Sequence, residues 1–464
     1  MNVSHVFQVN LQAEDLVQHG DCILLAVSGG LDSVALLHLF HESKLILDLS
    51  LTIVHVHHGI RAQEADLDLE FVRELSKRYQ LPFYFRKVNA KVFAQHHKLS
   101  LEESARILRY QIFDKVCKET ACRKVATGHT ADDQAETVVH HFLRGSGIAG
   151  LRGMTEARGT YIRPLLIFSR TQLEKYISQQ HLTHREDSSN QDARFTRNRI
   201  RHQLIPHLKE SYNPNLIQTL GRTAHIFEET EAFLNTHAKE AFNSLVSLHK
   251  KNEIILEIHG FLRYFKIVRK YILFHACELL GIDVAHFTFD KLERILKLIE
   301  DGTVGKRIHL ADNFELLVDH DGIVLKKRGK NFHKAKLSLL ERSVCRFNNF
   351  ELSWSIFEKP KNLNFDNNKS VEFVSLDRIG GELFLRTFLP GDRFIPLNFS
   401  GHKKVADYFT DRKVPHHLRE VTPILESQEG IVWICGYTID DRFKVTDATN
   451  KILKLEIKEL SDEA

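Results

Sequence analysis

Residues 28–33 of this chain, Ser-Gly-Gly-Leu-Asp-Ser, constrain its fold more than any other segment. They follow directly on the apolar stretch 22–27 and precede an apolar, helix-forming segment at 34–40. An apolar strand followed by two glycines and then by a helix is typical of a buried parallel strand whose loop to the next helix binds phosphate. Glycine favours this arrangement because it lets the backbone approach an anion closely. The free N–H groups and dipole of the next helix favour negative charge at the same point. Asp32 beside that anion is explained by a divalent cation between them, so the segment predicts a nucleoside triphosphate site.

The loop is not of the Walker type, which requires Gly-x-x-x-x-Gly-Lys followed by Ser or Thr. The two Gly-Lys pairs of this chain are followed by Arg307 and Asn331, which lack the hydroxyl that would hold magnesium. Residues 28–33 instead resemble the PP-loop of the N-type ATP pyrophosphatases. That resemblance implies cleavage of ATP between its α- and β-phosphates and adenylation of a carbonyl oxygen. The alternative interpretation of the same six residues is an ordinary strand–helix turn.

The composition is that of a globular protein with more than one domain. A chain of 464 residues is too long for one hydrophobic core, which predicts two or three domains. Hydrophobic residues make up 43% and charged residues 27%, as in soluble proteins. Six cysteines without a CxxC pair, no signal peptide and no apolar run of membrane-spanning length predict a cytoplasmic protein without a membrane partner. The net charge of +4 does not by itself indicate a nucleic-acid partner.

The first 170 residues alternate short β-type runs with helix-period stretches, which predicts an α/β fold with a doubly wound parallel sheet. We predict strands at residues 23–27, 52–55, 83–88, 124–127 and 160–162, and helices at 33–40, 64–79, 101–118 and 132–143. Ligands of such sheets bind at the carboxyl ends of the strands. Ser28, His57 and Gly128 each follow a predicted strand, so we expect them to converge at one edge of the sheet.

The pattern changes twice further along the chain. Residues 1–212 are predicted to form the nucleotide-binding catalytic domain, and residues 213–370 a mainly helical middle domain. Alternation of apolar and polar residues, which is typical of strands, becomes more frequent from about residue 307. The asparagine-rich stretch 362–370 is predicted to be a loop or linker. Residues 371–464 combine strand patterns with short turns and are predicted to form a small β-rich domain that binds tRNA.

A second motif, residues 128–137, places three carboxylates near the start of a helix. Asp132 and Glu136 are four residues apart and share a helix face, and Asp133 is three residues from Glu136. Carboxylates this close repel one another unless they share a cation. Acidic residues at a helix N-terminus are the ordinary structural explanation. Because the motif follows a strand of the predicted sheet, a functional role is favoured.

Several motifs in a fixed order resemble the tRNA(Ile)-lysidine synthase family. They cover the first 210 residues without a gap and resume in the C-terminal domain, whereas residues 216–370 match only loosely. The matching segments are residues 28–33, 55–61, 101–106, 109–110, 128–137, 162–166, 186–190, 197–201, 389–393 and 413–419.

The resemblance implies a C–N bond-forming ligase that uses ATP and Mg²⁺. ATP adenylates the C2 oxygen of the wobble cytidine in the CAU anticodon of an isoleucine tRNA and releases pyrophosphate. Free L-lysine then attacks C2 through its ε-amino group, and AMP leaves. The product pairs with A instead of G, which changes the codon specificity from AUG to AUA.

Candidate site residues follow from the motifs and from the resemblance. The catalytic candidates are Asp32, Arg106, Asp132, Asp133 and Glu136. The nucleotide-binding candidates are Ser28, Gly29, Gly30, Leu31, Asp32, Ser33, His55, Gly128 and His129, and Asp32 is the candidate metal ligand. The tRNA-binding candidates are Arg194, Arg197, Arg199, Arg201, Arg393, Lys403 and Lys404.

The chemistry explains why carboxylates are needed. The lysine ε-amine has a pKa of about 10.4 and is protonated at neutral pH. The site must therefore bind an ammonium and then remove a proton from it. Asp132, Asp133 and Glu136 suit both tasks, and the sequence does not decide which of them is the general base. His129 is a further candidate base, and it could equally cap the turn.

Two alternatives stay open at this point, another PP-loop tRNA enzyme and a protein of a different, non-catalytic class. A PP-loop tRNA thiolase would need sulfur-carrying cysteines near the nucleotide, and Cys117 and Cys122 are the pair to consider. A non-catalytic tRNA-binding protein could retain the loop alone. The sequence also leaves open how methionine tRNAs with the same anticodon are rejected and whether the protein is a homodimer.

Overall fold

The computed structural model describes residues 2–57, 59, 62–185, 196–284, 287–320, 322–328, 334–337, 342–360 and 370–460. Its contacts divide the chain into two compact units, Met1–Phe233 and Leu234–Ala464. The predicted division into three domains, with limits at 212 and 370, stays a prediction.

A six-stranded sheet forms the centre of the first unit, and its strand order is β3-β2-β1-β4-β6-β5. Five strands are parallel, and β5 pairs antiparallel with β6 at the edge. The strands are β1 (Cys22–Ala26), β2 (Ser50–His57), β3 (Phe83–Lys87), β4 (Lys124–Ala126), β5 (Ala157–Arg158) and β6 (Tyr161–Ile162). The predicted α/β fold is confirmed, and the short antiparallel strand β5 was not predicted.

Helices cover both faces of this sheet, which explains why its strands read as continuous apolar runs. Ile23, Leu24 and Leu25 of β1 are all fully buried. The helices are α1 (Val3–Ala13), α2 (Leu31–Ser43), α3 (Ala62–Tyr79), α4 (Ala90–His97), α5 (Leu101–Glu119), α6 (Ala131–Leu143), α7 (Ile148–Leu151), α8 (Arg170–Gln179), α9 (Thr196–Arg199), α10 (Ile205–Ser211) and α11 (Leu216–Leu245). A single π-helical turn, Ile200–Leu204, joins α9 to α10.

The middle region is helical, as predicted, but it also contains an antiparallel sheet with the order β7-β8-β11-β10-β9. Its helices are α12 (Ile258–Arg263), α13 (Lys266–Leu279) and α14 (Phe289–Glu300). Its strands are β7 (Val246–Lys250), β8 (Glu253–Glu257), β9 (Arg307–His309), β10 (Phe314–Val318) and β11 (Gly322–Lys327). The β7–β8 hairpin was missed because it follows α11 without a break and its strands are only five residues long.

The C-terminal region is β-rich, as predicted. Two antiparallel sheets have the orders β12-β16-β19-β20-β21 and β13-β14-β22-β15, and β17 pairs with β18 in a separate hairpin. The elements are β12 (Lys334–Leu337), β13 (Arg342–Phe347), β14 (Phe350–Glu358), β15 (Val371–Ser375), β16 (Leu383–Thr387), β17 (Arg393–Phe394), β18 (Lys403–Lys404), α15 (Val405–Asp411), α16 (His416–Arg419), β19 (Pro423–Ser427), β20 (Gly430–Ile434), β21 (Thr438–Ile439) and β22 (Lys451–Glu459).

Strands β12 and β14 precede the predicted limit at residue 370 but pair with strands that follow it. Lys334 of β12 lies opposite Arg386, and Phe350 of β14 lies opposite Glu459. The C-terminal sheets therefore include residues on both sides of that limit. Of the helices that the structure describes, none is long and apolar enough to cross a membrane.

Candidate active site

The loop at residues 28–33 is closed around one hydroxyl group. Ser33 Oγ accepts hydrogen bonds from the backbone N–H groups of Ser28 (3.2 Å) and Gly29 (3.1 Å) and donates to the carbonyl of Gly30 (2.8 Å). Gly29 has a φ of +98°, a conformation that side-chain-bearing residues rarely adopt. Gly30 then caps α2, which begins at Leu31 without a side-chain cap. The first N–H groups of α2 therefore remain available to an anion.

The second motif packs directly against this loop. A Cβ atom on Gly128 would lie 3.1 Å from the carbonyl carbon of Asp32 and 3.3 Å from the backbone nitrogen of Ser33. Because both neighbours are backbone atoms, a side chain at this position would push the two motifs apart. Glycine at 128 thus allows the start of α6 to approach the start of α2. The sequence predicted that the loop at residues 28–33 and the motif at residues 128–137 converge at one edge of the sheet, and the structure confirms this part of the prediction.

A cavity of about 80 Å³ lies where the two helix starts meet. Four predicted catalytic carboxylates line it, together with a threonine, two arginines and two isoleucines. The lining residues are Asp32, Thr130, Asp132, Asp133, Glu136, Arg170, Arg201, Ile205 and Ile217. Four carboxylates against two guanidinium groups leave an excess of two formal negative charges in the lining.

Arg201 holds two of the carboxylates in place. Its Nε and Nη2 atoms lie 2.5 and 2.9 Å from the two carboxylate oxygens of Glu136, and Nη2 lies 2.8 Å from Asp133 Oδ1. Arg197 adds a bond of 3.2 Å from its Nε to Glu136 Oε2. The Glu136 side chain is 3% exposed, so these ion pairs offset the cost of burying its charge. Arg197 and Arg201 were predicted to bind tRNA, and that role stays a prediction.

Asp32 has the opposite environment. Its Oδ1 atom is buried and has no hydrogen-bond partner in the described parts of the chain. Burial, with the nearby charge of Asp133, raises the pKa of Asp32 to about 6. The charges of Arg170 and Arg201 reduce this effect without cancelling it. An anionic oxygen without a partner is suited to bind a cation.

Asp133 and Asp132 each accept backbone hydrogen bonds. Asp133 Oδ2 accepts from the backbone nitrogen of Thr130 at 2.9 Å as part of a capping box at the start of α6. Burial alone would raise the pKa of Asp133, but His129, the Thr130 N–H and the two arginines outweigh it and lower the value. Asp132 Oδ2 accepts from the backbone nitrogen of Arg170 at 2.7 Å, which ties α6 to the start of α8.

The two candidate histidines are held by their ring nitrogens. His129 Nδ1 lies 2.9 Å from Thr127 Oγ1, and burial together with nearby arginines lowers its pKa to about 4. A base with so low a pKa removes protons weakly at neutral pH, so the ring suits positioning better than proton transfer. His55 Nδ1 lies 2.9 Å from the carbonyl oxygen of Val27, and burial lowers its pKa. Nδ1 must carry the proton in that bond, which leaves Nε2 as an acceptor.

Arg106 and Arg199 are not among the residues that line the cavity. Arg106 is exposed on α5 with its guanidinium 5.2 Å from the ring centre of Tyr110. Arg199 is exposed on α9, and Arg194 lies outside the described residues. The other three tRNA-binding candidates, Arg393, Lys403 and Lys404, lie on the β17–β18 hairpin of the second unit.

Four cavity residues were not among the predicted site residues: Arg170, Ile205, Ile217 and Thr130, of which Thr130 lies within the acidic motif. Arg170 opens α8 beside Ser169, which forms a capping box with Gln172, so the helix start was recognisable from the sequence. Ile205 and Ile217 belong to an apolar cluster with Ala135 of α6. Nothing local to Ile205 or Ile217 distinguishes them from other buried isoleucines.

The cysteines considered for sulfur chemistry are packed in the core. The Sγ atom of Cys117 donates to the carbonyl of Cys122 at 2.9 Å, and both residues are buried. Burial raises the pKa of Cys117, which disfavours the nucleophilic thiolate. This environment is that of a structural cysteine.

Two family models match the chain. The model of the PP-loop domain matches residues 3–208, and that of the TilS substrate C-terminal domain matches residues 383–457. Together with the parallel sheet and the closed loop at residues 28–33, the first match defines an ATP-utilising PP-loop protein.

Relatives over almost the whole length identify the family. The tRNA(Ile)-lysidine synthase of Geobacter sulfurreducens is 32% identical over 443 residues, which cover 95% of this chain and 93% of the relative. That of Caldanaerobacter subterraneus subsp. tengcongensis is 30% identical over 460 residues, which cover 96% of both chains. The chain belongs to the tRNA(Ile)-lysidine synthase family.

The chain also resembles a solved structure, the U34-tRNA thiolase NcsA from Methanococcus maripaludis. The two are 15% identical, the match covers 49% of this chain and 80% of the thiolase, and the TM-score is 0.42, a similarity too low to carry an argument.

Replacing Asp32 by asparagine should stabilise the protein at neutral pH when neither metal nor nucleotide is present. The pKa of Asp32 is raised to about 6 on folding, so the native state binds the proton more tightly and loses stability as the pH rises from about 4 to 6. Asp32→Asn removes that loss, and we expect a gain of up to about 3 kcal/mol above pH 6 and none below pH 4. Urea unfolding across this pH range measures it. Asp48→Asn, whose side chain is 76% exposed, is the control, and equal curves for the two variants would contradict the assignment.

Arg201→Ala should destabilise the protein by about 3 kcal/mol, because it leaves the buried charge of Glu136 with weaker pairing. Arg199→Ala, at an exposed position on the preceding helix, should change the unfolding free energy by less than about 0.5 kcal/mol. Both variants can be compared by urea unfolding at pH 7. Similar losses in the two variants would show that Arg201 does not stabilise the carboxylate pair.

Proposed function

We propose that this protein uses ATP to join free L-lysine to C2 of the wobble cytidine in a CAU-anticodon isoleucine tRNA, releasing pyrophosphate and AMP. The observation that carries the proposal is the cavity shared by Asp32 of the nucleotide loop and the carboxylates of α6. A reaction that couples ATP cleavage to attack by a cationic amine needs these two sites in contact. A tRNA substrate implies action in the cytoplasm.

The nucleotide loop supplies the donors for the first step. Adenylation turns the C2 oxygen of cytidine into a leaving group, and negative charge grows between the α- and β-phosphates as pyrophosphate departs. The N–H groups at the start of α2 are preorganised to stabilise this charge, because the loop is already fixed by the Ser33 hydroxyl. Ser33 thus acts in forming the loop, since its hydroxyl is used within it.

Mg²⁺ fits the site through Asp32. The described residues contain no group of three or more side chains that could hold a metal, so the protein would provide few of its ligands. Mg²⁺ commonly binds through one or two carboxylates together with the phosphates of the substrate. The buried Oδ1 of Asp32 is such a ligand. When bound, the ion would neutralise phosphate charge.

The cavity has the chemistry to hold lysine. Its excess of negative charge attracts the ε-ammonium, and Ile205 and Ile217 offer apolar surface to the butyl chain. Arg170 or Arg201 could pair with the α-carboxylate. Asp132, Asp133 and Glu136 attract the ammonium and supply the base that removes its proton, after which the free amine attacks C2.

The tRNA body would be bound through the second unit. Arg393 and Lys404 are exposed and lie opposite each other on the β17–β18 hairpin. Phe394, which follows Arg393 and lies opposite Lys403, is fully buried and anchors the hairpin that carries these cations. Such cations contact phosphates and fix the position of the RNA.

An assay with ATP, Mg²⁺, labelled lysine and a CAU-anticodon transcript tests the proposal. Wild-type protein should transfer the label, and Asp32→Ala should lose both pyrophosphate release and transfer. Asp132→Asn should retain pyrophosphate release and lose transfer by about 100-fold or more, because Asp132 accepts a backbone N–H rather than a guanidinium and its charge is needed only for the amine. Asp48→Asn, which changes an exposed carboxylate outside the cavity, is the control. Absence of label on the transcript with wild-type protein would refute the proposed function.

A further inference from the structure

Arg106 lies at one end of a ladder of side chains on α5 and β6 that contact one another in sequence. Arg106, Tyr110 and Asp114 are four residues apart and therefore share a helix face. The guanidinium of Arg106 lies 5.2 Å from the ring centre of Tyr110, and the rings of Tyr110 and Tyr161 are 4.8 Å apart. The hydroxyl of Tyr161 donates to Asp114 Oδ1 at 2.5 Å, which closes the ladder.

The ladder is anchored at one end and points toward the active site at the other. Tyr161 packs against the core cluster of Phe113 and Val125 between α5 and the sheet. Since β3 and β4 both run parallel to β1, α5, which connects them, must run in the opposite direction and start at the carboxyl edge. Arg106 lies in the second turn of α5, near that edge. Its charge contributes to the lowered pKa of His129, which places the guanidinium within electrostatic range of the motif at residues 128–137.

An exposed arginine on a helix ordinarily samples many rotamers. A cation stacked on an aromatic face loses that freedom, and a guanidinium also keeps its edge donors available while its face is stacked. The tyrosine ring therefore orients the side chain without consuming its hydrogen-bond donors. Those donors are what a phosphate requires.

We propose that Tyr110 is a positioning residue for adenylation, holding Arg106 so that its guanidinium faces the phosphates of ATP. The inference rests on the proposed function. In this step the C2 oxygen of cytidine forms a bond to the α-phosphorus, the bond from that phosphorus to the bridging oxygen breaks, and pyrophosphate leaves with the electron pair. Arg106 donates hydrogen bonds to the charge that develops there, and Tyr110 acts only through Arg106.

A double-mutant cycle tests the proposal in the full chain with ATP, Mg²⁺, lysine and the transcript. Tyr110→Leu should lower kcat/KM for ATP by about three- to tenfold and leave the KM for lysine unchanged. Tyr110→Phe keeps the ring and should restore the wild-type rate. Adding Tyr110→Leu to Arg106→Ala should cause no further loss, because the residue that it positions is already absent.

Three results would overturn the inference: equal losses from Tyr110→Leu in the wild-type and Arg106→Ala backgrounds, no rescue by phenylalanine, or no loss at all. If circular dichroism shows that Tyr110→Leu is unfolded, Tyr110→Met in both backgrounds gives the same cycle, since it also removes the aromatic face under Arg106. If the wild-type protein transfers labelled lysine to the transcript but the losses from the two substitutions add, only this inference is rejected. If the wild-type protein transfers no label, the proposed function itself is rejected.

Discussion

The contact between Gly128 and the backbone of Asp32 and Ser33 is the constraint on which the site depends. It brings together the starts of α2, which carries Asp32, and α6, which carries Asp132 and Asp133, and both starts are positive helix-dipole ends. Without a cation of its own, the protein could not hold four carboxylates around so small a cavity. Arg201 provides that cation by binding Glu136 and Asp133 at once. The approach of the two helices and the arginine that neutralises it are therefore parts of one arrangement.

Arg201 reaches this position through irregular helix geometry. It lies in the π-helical turn between α9 and α10, four residues after Arg197, so that both guanidinium groups face α6. π-helical turns are rare and occur most often at functional sites. Ile205, directly after the turn, packs with Ala135 on the other side of the same contact. The π-helical turn thus places an arginine, Arg201, and an isoleucine, Ile205, on the same cavity.

Local motifs explain how far the sequence could predict this site. The loop at residues 28–33 and the acidic motif at residues 128–137 are each contiguous, and the strands before them are apolar on both faces, so their convergence followed from parallel-sheet topology. The partner of Glu136 lies 65 residues further along the chain, and arginines near an aromatic residue read equally well as RNA contacts. The apolar side of the cavity, which includes Ile217, could not be recognised either. Only the tertiary packing brings this isoleucine to the cavity.

The four carboxylates also fall into two pairs with different environments. Asp133 and Glu136 are bound by Arg201, which fixes their geometry and satisfies most of their hydrogen-bonding capacity. Asp32, by contrast, has a buried oxygen without a partner among the described residues, and Asp132 accepts a backbone N–H from Arg170. The excess negative charge of the cavity is therefore concentrated where α2 and α8 meet α6, beside the nucleotide loop. Since unpaired buried charge is destabilising, cations that enter with the substrates bind where they relieve the largest cost. We infer that the same imbalance that weakens the empty site strengthens binding of a metal ion and of an ammonium group.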